Sequence, residues 1–274
     1  MKNFTTRTIT GLTYVLIISA CIILHPFAFA SIFAVITVIA LTEFYNIAHL
    51  DNAQSWKYPG ILAGLILFIS NFLYASGYIQ SKHIIGLTLM VFLLFFISLA
   101  SRKGNILSDA GITFLGLIYI PLPMSMLAYL CYPGKDSSEY KFGLLLGYLV
   151  LIWLFDTGAY IVGSLIGKHK LMEKISPGKT WEGLIGGLII SIGIAIILSM
   201  LTHIITRTDW LIISIITAIS GTLGDLVESG IKRNALIKDS GKILPGHGGI
   251  LDRIDSILLS IPFVTLYLLI RNYY

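Results

Sequence analysis

Charge is scarce in this chain. Only 12% of its 274 residues are Asp, Glu, Lys or Arg, about half the ~25% of an ordinary soluble domain. Too few charges remain to cover a water-facing surface, which excludes a soluble globular protein. Cysteine is nearly absent as well: Cys21 and Cys131 are the only two. That excludes a disulfide scaffold and any thiolate metal site, and both thiols sit in apolar runs where cysteine packs as a small hydrophobe. No segment repeats along the chain, so the internal symmetry typical of many secondary transporters is missing. What the chain has instead is oil. Hydrophobic residues make up 56% of it and its mean hydropathy is +0.86, the composition of a polytopic membrane protein.

Apolar runs near the ~20 residues a bilayer requires lie at about 8–26, 28–50, 58–78, 83–100, 108–132, 142–167, 183–203, 209–228 and 251–270. They predict an all-α protein of about nine transmembrane helices. Lys2 and Arg7 ahead of the first run, with Ala28-Phe29-Ala30 after it, imitate a secretory signal. Another hydrophobic segment follows at once and no soluble domain does, so the first run is expected to be retained as a membrane helix. The same reasoning sets aside Cys21 as a lipidation site.

Basic residues fix the expected orientation, because positively charged loops stay on the cytoplasmic side. With the N-terminus inside, 14 of the 19 Lys and Arg residues face the cytoplasm, and Lys82, Lys135, Lys141, Arg207 and Arg271 face out. The formal net charge of +5 then describes a cytoplasmic face suited to anionic head groups or nucleotides, with no nucleic-acid partner. The chain is expected to be one integral membrane domain, 1–274. Within it, 1–135 supplies lipid-facing helices that could also pair two copies as a homodimer. Residues 136–274 supply catalytic helices and cytoplasmic loops.

The polar residues are concentrated in that second part. Ser229 to Asp255 places Lys232, Arg233, Lys238 and Lys242 ahead of Pro245-Gly246-His247-Gly248-Gly249, and Asp252, Arg253 and Asp255 follow at the start of an apolar run. Cations and glycines before a helix start suit phosphate; carboxylates there suit a hard cation. Asp252 and Asp255 are three apart, hence on one helical face. Asp225, near the cytoplasmic end of the preceding run, and Asp252 make a plausible Mg²⁺ clamp for a nucleotide triphosphate. Glycines flanking Asp225 would let another helix or a phosphate approach. In the loop after the sixth run, Ser176, Lys179 and Thr180 could bind phosphate oxygens at a helix N-terminus, with Glu182 orienting a lysine or stabilising the dipole. The plainer reading of that loop is an N-cap beside an interfacial Trp181. Gly178-Lys179-Thr180 lacks the upstream glycine of a P-loop. Asp156 lies within a membrane run, where a carboxylate is costly and therefore functional or paired.

Ser229, Lys232-Arg233, Lys238-Asp239, Pro245, His247-Gly248-Gly249 and Asp252-Arg253-x-Asp255 together resemble the signature of the phosphatidate cytidylyltransferases, or CDP-diacylglycerol synthases. Asp156-Thr157-x-Ala159-Tyr160 and Ser176-Pro177-x-Lys179-Thr180-x-Glu182-Gly183 are similar to that family too, so the likeness covers about 150–260. In the first five runs it is generic, at Glu43-Phe44-Tyr45. The resemblance implies that CTP and phosphatidate give CDP-diacylglycerol and pyrophosphate, in a bacterial inner membrane. It implies Mg²⁺ on Asp225 and Asp252, and a second cation at Asp255 or Asp156. It implies catalytic roles for Asp225, Asp252, Asp255, Lys232 and Arg233. Substrate contacts would fall to Ser176, Lys179, Thr180, Glu182, Lys238, His247, Gly248, Gly249, Arg253 and Asp156. Two other classes carry part of this pattern. A CTP-dependent enzyme for another lipid phosphate or a prenol would share the cations. An ion-coupled transporter would share Asp156 and Asp225 but has no use for the His-Gly-Gly segment. A CDP-alcohol phosphotransferase would need a run of helical aspartates after an early Asp-Gly, which this chain lacks.

Overall fold

The computed structural model describes residues 2–50, 56–81, 106–133, 139–241 and 248–273, with single positions 83, 86, 89, 91, 96 and 243. The helices are α1 (Lys2–Leu24), α2 (Pro26–Leu50), α3 (Lys57–Ala75), α4 (Ile106–Tyr119), α5 (Pro121–Met126), α6 (Gly143–Ile166), α7 (Trp181–Thr202), α8 (Arg207–Asn234) and α9 (Leu251–Ile270). A 3-10 turn at Leu127–Cys131 follows α5, and a two-stranded antiparallel hairpin, β1 (Lys170–Met172) and β2 (Ser176–Thr180), sits between α6 and α7. Among the described residues seven segments are long and apolar enough to cross a membrane. One of them, Ser108–Cys131, is α4, α5 and the 3-10 turn in series, broken where Pro121 lacks an N–H for the helix ladder. The apolar stretch Ile9–Leu24 is shorter. Most of the expected run at 83–100 lies outside the described residues.

Three features position the site. First, α6 and α7 pack backbone to backbone. Ala159 and Gly163 on α6 meet Gly183 and Gly187 on α7, and a Cβ at Gly187 would lie 2.9 Å from both the Phe155 carbonyl and the Ala159 methyl. Small residues four apart on both faces permit this approach, as in other membrane helix pairs. Second, α8 and α9 run antiparallel and touch closely at Gly224, which lies against the carbonyl of Asp255. The glycine flanking Asp225 thus admits a helix. The far ends of α8 and α9 are tied by Asp209, which has no exposed surface and accepts from Tyr267 (2.6 Å), Tyr273 (2.8 Å) and Arg271 Nε (3.1 Å).

Third, α8 is longer than its apolar run. The sequence places its end at 228 and a loop from Ser229, but the helix continues to Asn234. Two things extend it. Glu228 and Lys232 form an i,i+4 pair, and Lys232 and Arg233 fall in the last turn, where cations offset the helix dipole. At 28 residues it spans roughly 42 Å at ~1.5 Å per residue, beyond the ~30 Å hydrocarbon layer. The helix then stops in a Schellman turn. Ile237 N donates to Lys232 O, Leu236 N donates to Arg233 O, and Leu236 takes φ +57° where glycine is usual. The chain reverses there and brings Lys238 back over the bundle.

Candidate active site

A cavity of about 510 Å³ opens where these elements meet. Phe155, Asp156, Ala159 and Tyr160 of α6 form one wall, with Leu171 and Leu184 beside them. Facing them are the end of α8, the start of α9 and the 238–239 segment. The hairpin lies across, contributing Ser176, Gly178 and Lys179. Apolar and aromatic side chains, Phe155, Ala159, Tyr160, Leu171 and Leu184, thus share the lining with a dense set of ions that includes Asp156. Five cations, Lys179, Lys232, Arg233, Lys238 and Arg253, line the same space.

The ion side is built from interlocked pairs. Lys179 Nζ lies 2.6 Å from Asp225 Oδ2 and donates to the Thr222 carbonyl at 3.3 Å, so the hairpin is fastened to α8. Arg233 fastens it a second time, through Nε to the Ile175 carbonyl, while its Nη1 donates to Ile237 O (3.1 Å). Lys232 stands between two carboxylates, Glu228 Oε2 and Asp252 Oδ1, with only 11% of its side chain exposed. Ser229 Oγ donates to Asp225 Oδ1 at 3.2 Å.

Behind the cations, one oxygen each from Asp225, Glu228 and Asp255 lies within 4.8 Å of the others. Three hard oxygen donors at that spacing fit a divalent cation. The buried Glu228 carboxylate supports the fit: both of its oxygens are sealed from solvent, and its ion pair with Lys232 engages Oε2 alone. Asp225 and Asp255 are on adjacent helices because Gly224 lets those helices touch; Asp225 and Glu228 are three apart on one helix.

Asp252, expected from the sequence to clamp a cation with Asp225, has partners on both of its oxygens. Its Oδ1 pairs with Lys232, and its Oδ2 accepts from Gly249 N (2.7 Å), Ser240 N (3.0 Å) and Ser240 Oγ (3.0 Å). With these donors it orders the turn ahead of α9. Gly248 and Gly249 serve the same turn. Gly248 sits at φ +81°, and a Cβ there would collide with Asp252 Oδ2. A Cβ on Gly249 would collide with Ser240 Oγ and lie within 2.6 Å of Glu43. Neither glycine lines the cavity; both let backbone press against carboxylates.

Of the residues expected from sequence, Asp156, Ser176, Lys179, Thr180, Asp225, Lys232, Arg233, Lys238, Asp252, Arg253 and Asp255 line the one cavity. Asp156 keeps exposed surface because it fronts that space. Thr180 is the N-cap of α7, its hydroxyl accepting from Gly183 N at 3.1 Å. Glu182 does not reach the cavity. It accepts from His169 Nδ1 (2.6 Å) and from the amides of Lys168 and His169 (3.2 Å each), pinning the start of the hairpin to α7. His247 lies outside the described residues. Sequence reasoning assigned no site role to Glu228, and Glu43 entered only as part of the generic likeness at Glu43-Phe44-Tyr45. Each is a carboxylate in an apolar run, the signal that singled out Asp156 and Asp225.

The sequence profile described as the Cytidylyltransferase family matches residues 5–271. Similar proteins include the phosphatidate cytidylyltransferase of Staphylococcus haemolyticus, 36% identical over 266 residues, covering 96% of this chain and 98% of the relative. That of Staphylococcus aureus (strain COL) is 35% identical over 269 residues, with 96% and 98% covered. That of Staphylococcus saprophyticus is 39% identical over 233 residues, with 84% and 86% covered.

Proposed function

We propose, from the premise that this chain belongs to the cytidylyltransferase family, that it is a phosphatidate cytidylyltransferase. It converts CTP and phosphatidate to CDP-diacylglycerol and pyrophosphate. The observation that carries this reading is one cavity lined by five cations and by apolar side chains, which suits two phosphate-bearing substrates of which one trails hydrocarbon.

The lipid phosphate carries about −1.5 to −2 charge near neutral pH, as phosphomonoesters do, so one of its oxygens attacks the α-phosphorus of CTP without a strong protein base. The bond to pyrophosphate breaks in line with the attack. The protein's task is to align the two anions and offset their charge. Lys179, Lys232, Arg233, Lys238 and Arg253 take the phosphates. Asp225, Glu228 and Asp255 would hold Mg²⁺, which would supply charge neutralisation for the departing pyrophosphate; Asp252 sits next to them, across Lys232. Asp156 faces the same space and is the place for a second cation. Phe155, Tyr160 and Leu184 form the side along which the glycerol and acyl chains lie.

The nine apolar runs support nine transmembrane helices, and the charge asymmetry of the loops supports an N-terminus and cavity on the cytoplasmic side, in the inner membrane of a bacterium. A homodimer would use the N-terminal helices. The substrate assignment is tested with purified protein in detergent, given CTP and, in separate reactions, phosphatidate, a prenyl phosphate or a prenol. Turnover only with phosphatidate is expected. Preference for a prenyl substrate would move the protein to another lipid class.

A further inference from the structure

Glu43 lies in α2, far in sequence from the cavity, yet it is 4% exposed and points at the turn that precedes α9. Its Oε2 accepts from Leu251 N at 2.8 Å and from Ser240 Oγ at 3.1 Å, and its Oε1 accepts from Ile250 N at 3.1 Å. Ile250 is the N-cap position of α9 and has no side chain able to cap. The first amides of that helix, left without intrahelical partners, are thus satisfied by a carboxylate from another helix. That carboxylate is also well placed for the dipole of α9. The backbone is shaped to admit it, since a Cβ on Gly241 or Gly249 would strike its oxygens. A buried carboxylate is expensive, and a purely packing role at this position could be met by leucine.

We infer that Glu43 is a positioning residue of the reaction: it holds Ser240 against Ile250 and Leu251 at the start of α9, so that Asp252, Arg253 and Asp255 face Asp225 and Lys232. The link runs through Ser240, whose hydroxyl lies within 3.1 Å of Glu43 Oε2 and within 3.0 Å of Asp252 Oδ2. Asp252 in turn holds Lys232. The N-terminal helices therefore contribute to catalysis without entering the cavity. This inference rests on the cytidylyltransferase reading for its assay, and not for its geometry.

The test compares wild type, Glu43→Gln and Ser240→Ala as purified full-length protein. Glu43→Gln keeps the shape but replaces one acceptor with a donor that opposes the α9 amides. It should lower kcat by roughly tenfold or more, the loss of one or two charge-assisted hydrogen bonds. The KM for phosphatidate should stay within about threefold, because the acyl-facing wall on α6 is untouched. Hydrogen exchange should rise in peptides covering 240–255 and stay unchanged in those from α6. Ser240→Ala, which disturbs little else, should shift both readouts the same way by less. Wild-type kcat and exchange in both variants would overturn the inference. So would a uniform rise in exchange with unchanged turnover per folded molecule, which marks a merely structural residue. A wild-type protein that makes no CDP-diacylglycerol would overturn the reaction instead, and is read before any variant.

Discussion

Lys232 and Lys179 both line the cavity, but the structure gives them different burdens. Lys232 bridges Glu228, whose side chain is 1% exposed, and Asp252, at 9%. Replacing it by methionine keeps most of the stem and removes the charge, leaving two buried carboxylates without their cation. Breaking a buried pair this way costs about 3–5 kcal/mol. Lys179 and Asp225 are 23% and 34% exposed, so their pair is partly screened and worth about 1 kcal/mol or less to stability. Lys232→Met should therefore lower the midpoint of thermal inactivation in detergent markedly, whereas Lys179→Met should leave it close to wild type. Both should lose turnover, Lys179→Met by roughly 100-fold, the usual effect of removing one donor aimed at a charged transition state. A Lys232→Met protein as stable as wild type would refute the bridging role. So would a Lys179→Met variant that is the less stable of the two.

Three further outcomes follow from the packing and the charge pattern. Gly187→Val, whose Cβ would press on Phe155 and Ala159, should cost about 1–3 kcal/mol and reduce activity by shifting the α6 wall; Gly193→Val on the same helix, with open space around it, should do neither in a melting and rate comparison. Asp209→Ala should weaken the tie between α8 and the C-terminal Tyr267, Arg271 and Tyr273, lowering the melting midpoint while both KM values stay fixed, since Asp209 is roughly 24 Å from Asp225 along α8 at ~1.5 Å per residue. A cysteine at Lys170 should resist a membrane-impermeant maleimide in intact cells while one at Lys141 reacts; the reverse pattern would invert the orientation.

The membrane-spanning character and the location of the site were legible in the sequence because both depend on composition and spacing. Apolar runs of bilayer length need no tertiary information, and a polar cluster inside an apolar chain announces itself. Eleven of the residues so identified line one cavity. Partner choice was less legible. Asp252 and Asp255 share a helical face by spacing, but the pairing of one with Lys232 and of the other with Asp225 is set by how α8 meets α9 at Gly224. The hairpin over Ser176–Thr180 escaped notice because Pro177 and Gly178 signal a loop; edge strands of two-stranded ribbons tolerate both. Gly248 and Gly249 suggested phosphate contact, whereas Gly248 presses on Asp252 four residues on and Gly249 on Glu43, which belongs to a helix some 200 residues earlier.

The central claim concerns which bond of CTP is broken and what the lipid receives, and it is tested by following two labels. CTP labelled at the α-phosphorus, incubated with the purified protein and phosphatidate, should deliver its label to a lipid that also carries the cytidine. CTP labelled at the γ-phosphorus should release its label as pyrophosphate. Transfer of the γ label to lipid, with CDP as the other product, would contradict the account and make the cavity that of a phosphoryl-transferring kinase.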